Sequence, residues 1–378
     1  MSAIDTIIIG GGLSGLFTAL KLEELHISYL LLEAKSDFGG RIAGYPVIPG
    51  SDLFVDLGPT WFWHHQKMTK QLLAEMQVEW FEQYSQGDTL VQQRSDEPPI
   101  RIHNDTGAMT SCRVKGGLKQ LVDVLAGQLE QTNIIKDHPV RAVRKSDEKW
   151  LVKAVLDGQE QTFDANQLIL ALPPRLIVKY LTPEQYMSKE LVNALQVEQT
   201  WMSGQAKFVA VYKEPFWRKN GLSGQAFSHI GPMVEIHDAS SSTGSGFALF
   251  GFIGLPSEVR AKFTIEQLKS QCIEQLGTIF GTESLGAEAT YLKDWAQDKW
   301  VATGQDVIES PRHPTFIVAQ HKKELEALSL HLVASEFAKF EAGYIEGALL
   351  AVDTAIKNIQ SGLSRSSLQQ LHDMSPLQ

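Results

Sequence analysis

Apolar positions in this chain fall into short continuous runs and longer runs at helical spacing. Residues 4–9 are continuous, rich in β-branched side chains and too short for a helix, the pattern of a strand covered on both faces. Three glycines follow as Gly10-x-Gly12-x-x-Gly15, with Leu13, Leu16, Phe17 and Leu20 spaced along one helix face. Residues 29–32 are a second buried run, ending in Glu33. Helical spacing returns at Leu72, Leu73 and Met76, and again behind Gly116-Gly117 at Leu118, Leu121, Leu125 and Leu129. Between these two, residues 83–106 are polar and irregular and read as an insertion. Strands are expected at 138–143, 150–156 and 167–170, with Asp157-Gly158 as a hairpin turn and Pro173-Pro174 stopping the last. Residues 188–196 and 265–280 read as helices, 205–217 as a strand and turn, and 247–253 as a strand. Residues 332–336 and the small side chains at Gly343, Gly347 and Ala348 lead into a final helix.

Strand, glycines, helix, strand and acid stand in the order of a dinucleotide-binding βαβ unit, which a lone glycine motif would not establish. Gly10 allows the tight turn, Gly12 lets a pyrophosphate approach the backbone, and Gly15 lets the helix pack on the strand. The helix-end amides then hold the phosphate charge, and Glu33 stands at the spacing of a ribose-hydroxyl acceptor. Asp37-Phe38-Gly39-Gly40-Arg41 decides which dinucleotide. A nicotinamide cofactor has no need of it. An extended, buried FAD does, because its pyrophosphate is neutralised from two sides and Arg41, beside Gly40, offers a bidentate fork. Asp56-Leu57-Gly58-Pro59-Thr60-Trp61 closes this first segment with a turn at Gly58, and Trp61, Phe62 and Trp63 fill a core or shield a ring.

The chain has 378 residues, enough for two or three domains. Its 34 basic and 44 acidic residues give a net charge of −10 without a basic stripe, which argues against nucleic acid or an anionic membrane surface as partner. Cys112 and Cys272 are far apart and without metal-type spacing, and the eleven histidines are scattered, so neither a disulfide framework nor a metal site is expected. No basic n-region precedes the first apolar run and no stretch approaches the ~20 apolar residues of a membrane span. A cytoplasmic protein is expected.

Residues 10–41, the segment 205–217 with its Glu214-Pro215-Phe216-Trp217 turn, and Gly343-Tyr344-Ile345-Glu346-Gly347-Ala348 resemble the flavin-containing monoamine oxidase family, a likeness that runs from Ile4 to about Ile359. The resemblance implies an α/β fold: a Rossmann-like FAD-binding domain with an inserted α+β substrate domain, the two-domain architecture of amine oxidases. It divides the chain into an FAD-binding domain (residues 1–60, 113–181 and 310–360), a substrate domain (61–112 and 182–309) and a polar, flexible tail at 361–378. In that likeness Gly58 passes beside the flavin ring. The backbone at Val140 meets the adenine end, Glu336 binds the ribityl chain, and Gly343, Tyr344 and Ile345 start a helix at the pyrimidine side. Lys207 matches the lysine that holds a water beside the reactive central-ring nitrogen, and Tyr344 matches one wall of an aromatic cage that guides a neutral amine.

Two positions depart from that pattern. Gly304 stands where many members carry a cysteine linked to flavin, and Gln305 where they carry the second aromatic wall. Noncovalent FAD and a more polar half-cage follow, suited to amines with further hydrogen-bonding groups such as amino acids or polyamines. The implied reaction takes hydride from the carbon bearing an uncharged amine and passes electrons to dioxygen, with peroxide and a hydrolysable imine as products. Two alternatives stay open on the same scaffold: a flavin dehydrogenase or desaturase of a non-amine substrate, and a flavoprotein that matures a partner polypeptide.

Overall fold

The computed structural model describes residues 4–373 apart from 52, 104–109, 147 and 157, with side chains described up to residue 362. The chain forms two compact units, Met1–Phe38, Leu125–Gln199 and His313–Gln378 in the first, Gly39–Val124 and Thr200–Arg312 in the second.

The first unit is built on a five-stranded parallel sheet in the order Ile134–Ile135, Tyr29–Leu32, Thr6–Ile9, Gln167–Leu170, Leu330–Leu332. All four residues of its central strand are buried, as the continuous apolar run predicts. From Thr6–Ile9 the chain passes first to Tyr29–Leu32 on one side and only later to Gln167–Leu170 on the other, so the order reverses here and the C-terminal end of Thr6–Ile9 is a topological switch point, where α/β sheets open a crevice. The glycine turn sits there, and the helix Leu13–Glu24 follows at once. An antiparallel meander of Val140–Lys145, Trp150–Leu156 and Gln159–Ala165 packs Val143, Trp150 and Val152 into the same core. Its middle strand was legible in the sequence but Gln159–Ala165 was not, because it alternates polar residues with few apolar ones. Leu156 pairs with Gln159 across the expected hairpin, of which Asp157 lies outside the described residues. The helices Pro174–Leu181 and Lys189–Val197 add Ile177, Leu181, Leu191 and Leu195 to this core, so residues 182–199 belong to the first unit, not to the inserted one. The last helix, Ile345–Asp373, continues well into the stretch expected to be a flexible tail; residues 374–378 lie outside the described residues.

The second unit is organised by a seven-stranded sheet: Ala289–Asp294, Ala206–Tyr212, Phe247–Ile253, Met233–Asp238, Leu222–Ser228, Asp88–Gln92, Ile100–Ile102. The last two strands lie within the stretch read as irregular; both are short, and Ile100–Ile102 is the edge of the sheet, where little apolar alternation is required. On the strand Ala206–Tyr212, side chains alternate between two buried faces. Ala206, Phe208 and Ala210 join Cys272, Leu276 and Ile279 of the helix Ile265–Phe280. Val209 and Val211 join Val47, Val55 and Leu57 in a separate cluster. This second packing is why residues 39–60 fall in the second unit rather than with the nucleotide segment. By the period of two, Lys207 is on the Val209 face.

Candidate active site

In the first unit the glycine turn has the form its spacing demands. Gly10 has φ +107°, and a Cβ there would meet the Ala171 carbonyl oxygen at 2.6 Å. A Cβ on Gly15 would be 1.8 Å from the Gly10 oxygen, so helix and strand touch backbone to backbone. Gly12 is the N-cap of Leu13–Glu24; no side chain caps that end and its first turn holds no acid. Glu33 is buried at the same turn, its Oε2 accepting the Gly11 N–H at 2.5 Å and its Oε1 the Lys35 N–H at 2.8 Å. Burial raises its carboxyl above the usual range, against the pull of these two donors. An uncapped helix start with a buried carboxylate beside it is a donor and acceptor set that fits a diphosphate and a ribose.

The other positions predicted for this unit are ordered around short local contacts. Val140 is buried and pairs with Ala154 just before a bulge. Glu336 is fully buried and takes a hydrogen bond from Ser335 Oγ at 3.0 Å. Gly343, at φ +88°, donates to the Ser335 carbonyl at 3.1 Å, Tyr344 donates its N–H to Glu341 at 3.0 Å, and Ile345 begins the final helix. Gly347 is required by its own chain, since a Cβ would lie 2.1 Å from the Glu341 oxygen. The Tyr344 ring lies 6.1 Å from that of His313, and burial, with Glu341, raises its phenol.

The second unit carries Lys207, only 2% exposed on a fully buried strand. Its Nζ donates to the Gly58 carbonyl at 3.1 Å and to Thr60 Oγ1, and lies 4.0 Å from the Phe250 ring centroid and 5.9 Å from that of Phe252. Trp61 packs edge-on to His237 at 4.8 Å and against Phe250 at 5.2 Å, completing an aromatic wall on this face. Desolvation pushes the lysine down to about 7; Asp56 pulls it up and Arg113 lowers it further.

Asp56 and Arg113 were not singled out as ionisable groups from the sequence. The signal was present: each stands between apolar neighbours, Asp56 between Val55 and Leu57, Arg113 between Cys112 and Val114, where a charge needs a reason. Asp56 is buried, its Oδ1 accepting the Leu118 N–H at 2.8 Å, and Oδ2 has no hydrogen-bond partner among the described residues. Arg113 gives Nη1 to Ser240 at 2.9 Å and Nη2 to Ala239 at 3.0 Å, while its Nε has no hydrogen-bond partner among the described residues.

Gly40 has φ +62°, and Arg41 Nη1 donates to the Trp201 carbonyl at 3.3 Å. The space a Cβ would take on Gly58 is filled by the Arg41 oxygen at 2.0 Å, so close passage of the chain itself demands glycine there. Gln305 begins the short helix Gly304–Ile308 and bonds Glu309 through Nε2 at 2.7 Å; a Cβ on Gly304 would meet nothing within 4 Å.

Residues 99–355 match the family described as flavin containing amine oxidoreductase, and residues 8–76 match an NAD(P)-binding Rossmann-like domain. A Dictyostelium discoideum protein named "Probable flavin-containing monoamine oxidase A" is 22% identical over 96% of this chain and 99% of its own length. Putrescine oxidase of Kocuria rosea is 26% identical over 50% of this chain and 40% of its own. Among solved structures, cyclohexylamine oxidase from Brevibacterium oxydans superposes with a TM-score of 0.81 at 18% identity, over 96% of this chain and 100% of that one. Putrescine oxidase bound to putrescine gives 0.78 at 19%, over 95% and 99%. These likenesses establish the two-domain α/β fold. With a family match across residues 99–355, the chain belongs to the flavin containing amine oxidoreductases and is a flavin-dependent oxidoreductase.

Proposed function

We propose that this chain is an FAD-dependent amine oxidase that holds its cofactor without a covalent link. The substrate carbon bearing an uncharged amine gives up a hydride and the nitrogen a proton; dioxygen takes the two electrons and two protons to become hydrogen peroxide, and water hydrolyses the imine to a carbonyl. When bound, the flavin supplies the two-electron acceptor between amine and dioxygen. The observation that carries this reading is Lys207: a lysine buried to 2%, against aromatic rings, is costly unless its charge is used. A cation in such a nest stabilises negative charge that develops as dioxygen is reduced.

The remaining residues divide the work. Gly10, Gly12 and Gly15 admit the diphosphate to the helix start and Glu33 takes the adenosine ribose. Gly40 and Arg41 neutralise the diphosphate, Gly58 accompanies the isoalloxazine, and Val140 meets the adenine by its backbone. Glu336 holds the ribityl chain, and Gly343, Tyr344 and Ile345 present helix amides to the pyrimidine edge. Tyr344 orients the amine, and Gln305, bonded to Glu309, supplies a polar amide where many members of the family carry an aromatic residue. Gly304 has no sulfur to form a flavin thioether. Amino acids or polyamines suit such a site better than simple arylalkyl amines. A cytoplasmic setting agrees with two buried, free cysteines and with the lack, among the described residues, of any helix long and apolar enough to cross a membrane.

The test is anaerobic bleaching of the purified yellow protein by a panel of monoamines, polyamines and amino acids, followed by air. Bleaching by one amine class, with rapid recovery and stoichiometric peroxide, is expected. Slow recovery would indicate a dehydrogenase. No bleaching by any small amine would defeat the reading and turn attention to a polypeptide substrate.

A further inference from the structure

Lys207 and Asp56 are joined through one short turn. The same five residues that begin with Asp56 supply the Gly58 carbonyl and the Thr60 hydroxyl that hold Lys207 Nζ. Neither of these acceptors carries charge. Across the sheet, Lys207 pairs in register with Phe252 on one side and Lys293 on the other; Lys293 is itself neutralised by Asp298 at 3.0 Å. Arg113 adds a second buried cation. Asp56 is the carboxylate that acts on both Lys207 and Arg113, while Asp238 acts on Arg113 as well, and the Oδ2 of Asp56 has no hydrogen-bond partner among the described residues.

We propose that Asp56 is the buried counter-charge of Lys207, a positioning residue that acts on the reaction only by keeping the lysine an ammonium; the inference rests on the reading of Lys207 given above. Burial raises the Asp56 carboxyl above its ordinary range, and three features pull the other way, towards the ionised form. Oδ1 accepts the Leu118 N–H at 2.8 Å, the carboxylate sits at the positive start of the helix Leu118–Gln128, and two cations act on it. The cap to Leu118 alone would need only one oxygen, so an uncharged side chain would serve a purely structural role as well.

That distinction sets the test. Asp56→Asn keeps an oxygen for Leu118 and removes the charge. The holoprotein, Asp56→Asn, Lys207→Met and the double variant are melted between pH 6 and 10. A lysine depressed in the folded state binds fewer protons there than in the unfolded chain, so the wild type gains stability as pH rises from about 7 towards ~10.4. In Asp56→Asn that gain should begin about one to two pH units lower, the size of one charge interaction at an intermediate dielectric. In Lys207→Met it should vanish, and the double variant should match Lys207→Met. A gain unmoved by Asp56→Asn, or a shift that persists without Lys207, overturns the proposal. Reoxidation of the amine-bleached protein in air should lose rate with rising pH at the same lowered value in Asp56→Asn. If Lys207→Met reoxidises as the wild type does, the role given to Lys207 fails, while the melting curves still decide whether Asp56 is its counter-charge.

Discussion

The glycine turn of the first unit and the Lys207 nest of the second both manage charge away from water, with different materials. The turn uses backbone: amides at an uncapped helix start, glycines packed to 1.8 Å of a would-be Cβ, and one carboxylate held by two N–H groups. The nest uses mostly side chains, those of Asp56, Thr60, Arg113, Lys207 and Phe250 with the Gly58 carbonyl, and leaves two of their polar atoms without hydrogen-bond partners among the described residues. A backbone site tolerates no added atom but is indifferent to most charge changes nearby. A side-chain site tolerates changes of size but depends on every charge in it.

That contrast can be broken at four points. Gly15→Ala should have the largest effect, because the clash is with a carbonyl oxygen that cannot rotate away; a loss of about 3 kcal/mol or more and colourless protein are expected, read by melting and by flavin absorbance. Lys207→Met changes size little and should fold, yet lower the rate of reoxidation in air by about 10²-fold, seen by stopped flow. Glu33→Gln should weaken flavin retention about tenfold or more on ultrafiltration, as one charged acceptor becomes neutral. The same change should not destabilise the flavin-free protein. A buried carboxyl whose folded value is raised loses stability as pH climbs from its ordinary value towards the raised one, and glutamine removes that fall from a melting series between pH 4 and 7. Gln305→Ala, on a short helix where the bond to Glu309 is lost, should have the smallest effect on stability, roughly 1 kcal/mol or less; an altered KM for polar amines at unchanged kcat would place it in the substrate path.

The difference in materials also explains what the sequence could reveal. Backbone sites are written locally: Gly10, Gly12, Gly15 and Glu33 lie within two dozen residues, and each glycine is needed for a reason visible in its neighbours. The strands Tyr29–Leu32, Trp150–Leu156 and Phe247–Ile253 and the helix Ile265–Phe280 were legible to the residue, because apolar runs there end abruptly. The nest was legible only at Lys207. Asp56, Arg113 and Phe250 join it through sheet register and a packed turn, and register is a tertiary property. The compact units divide the chain differently from the expected domains for a related reason. Residues 39–60 continue the nucleotide segment in sequence, but Val47, Val55 and Leu57 are buried against Val209 and Phe250.

The turn at residues 56–60 is fixed at nearly every step. Asp56 holds Leu118, Leu57 donates to Ala43 and accepts from Trp295 Nε1 at 2.8 Å, Gly58 and Thr60 hold Lys207. Opening this segment therefore breaks bonds to four separate parts of the second unit at once. In hydrogen-exchange terms the Leu57 amide should open only with the whole unit, as slowly as the core strands, though it lies in a loop. The environment of the lysine is thus set when the chain folds, and turnover has no reorganisation of that loop to wait for.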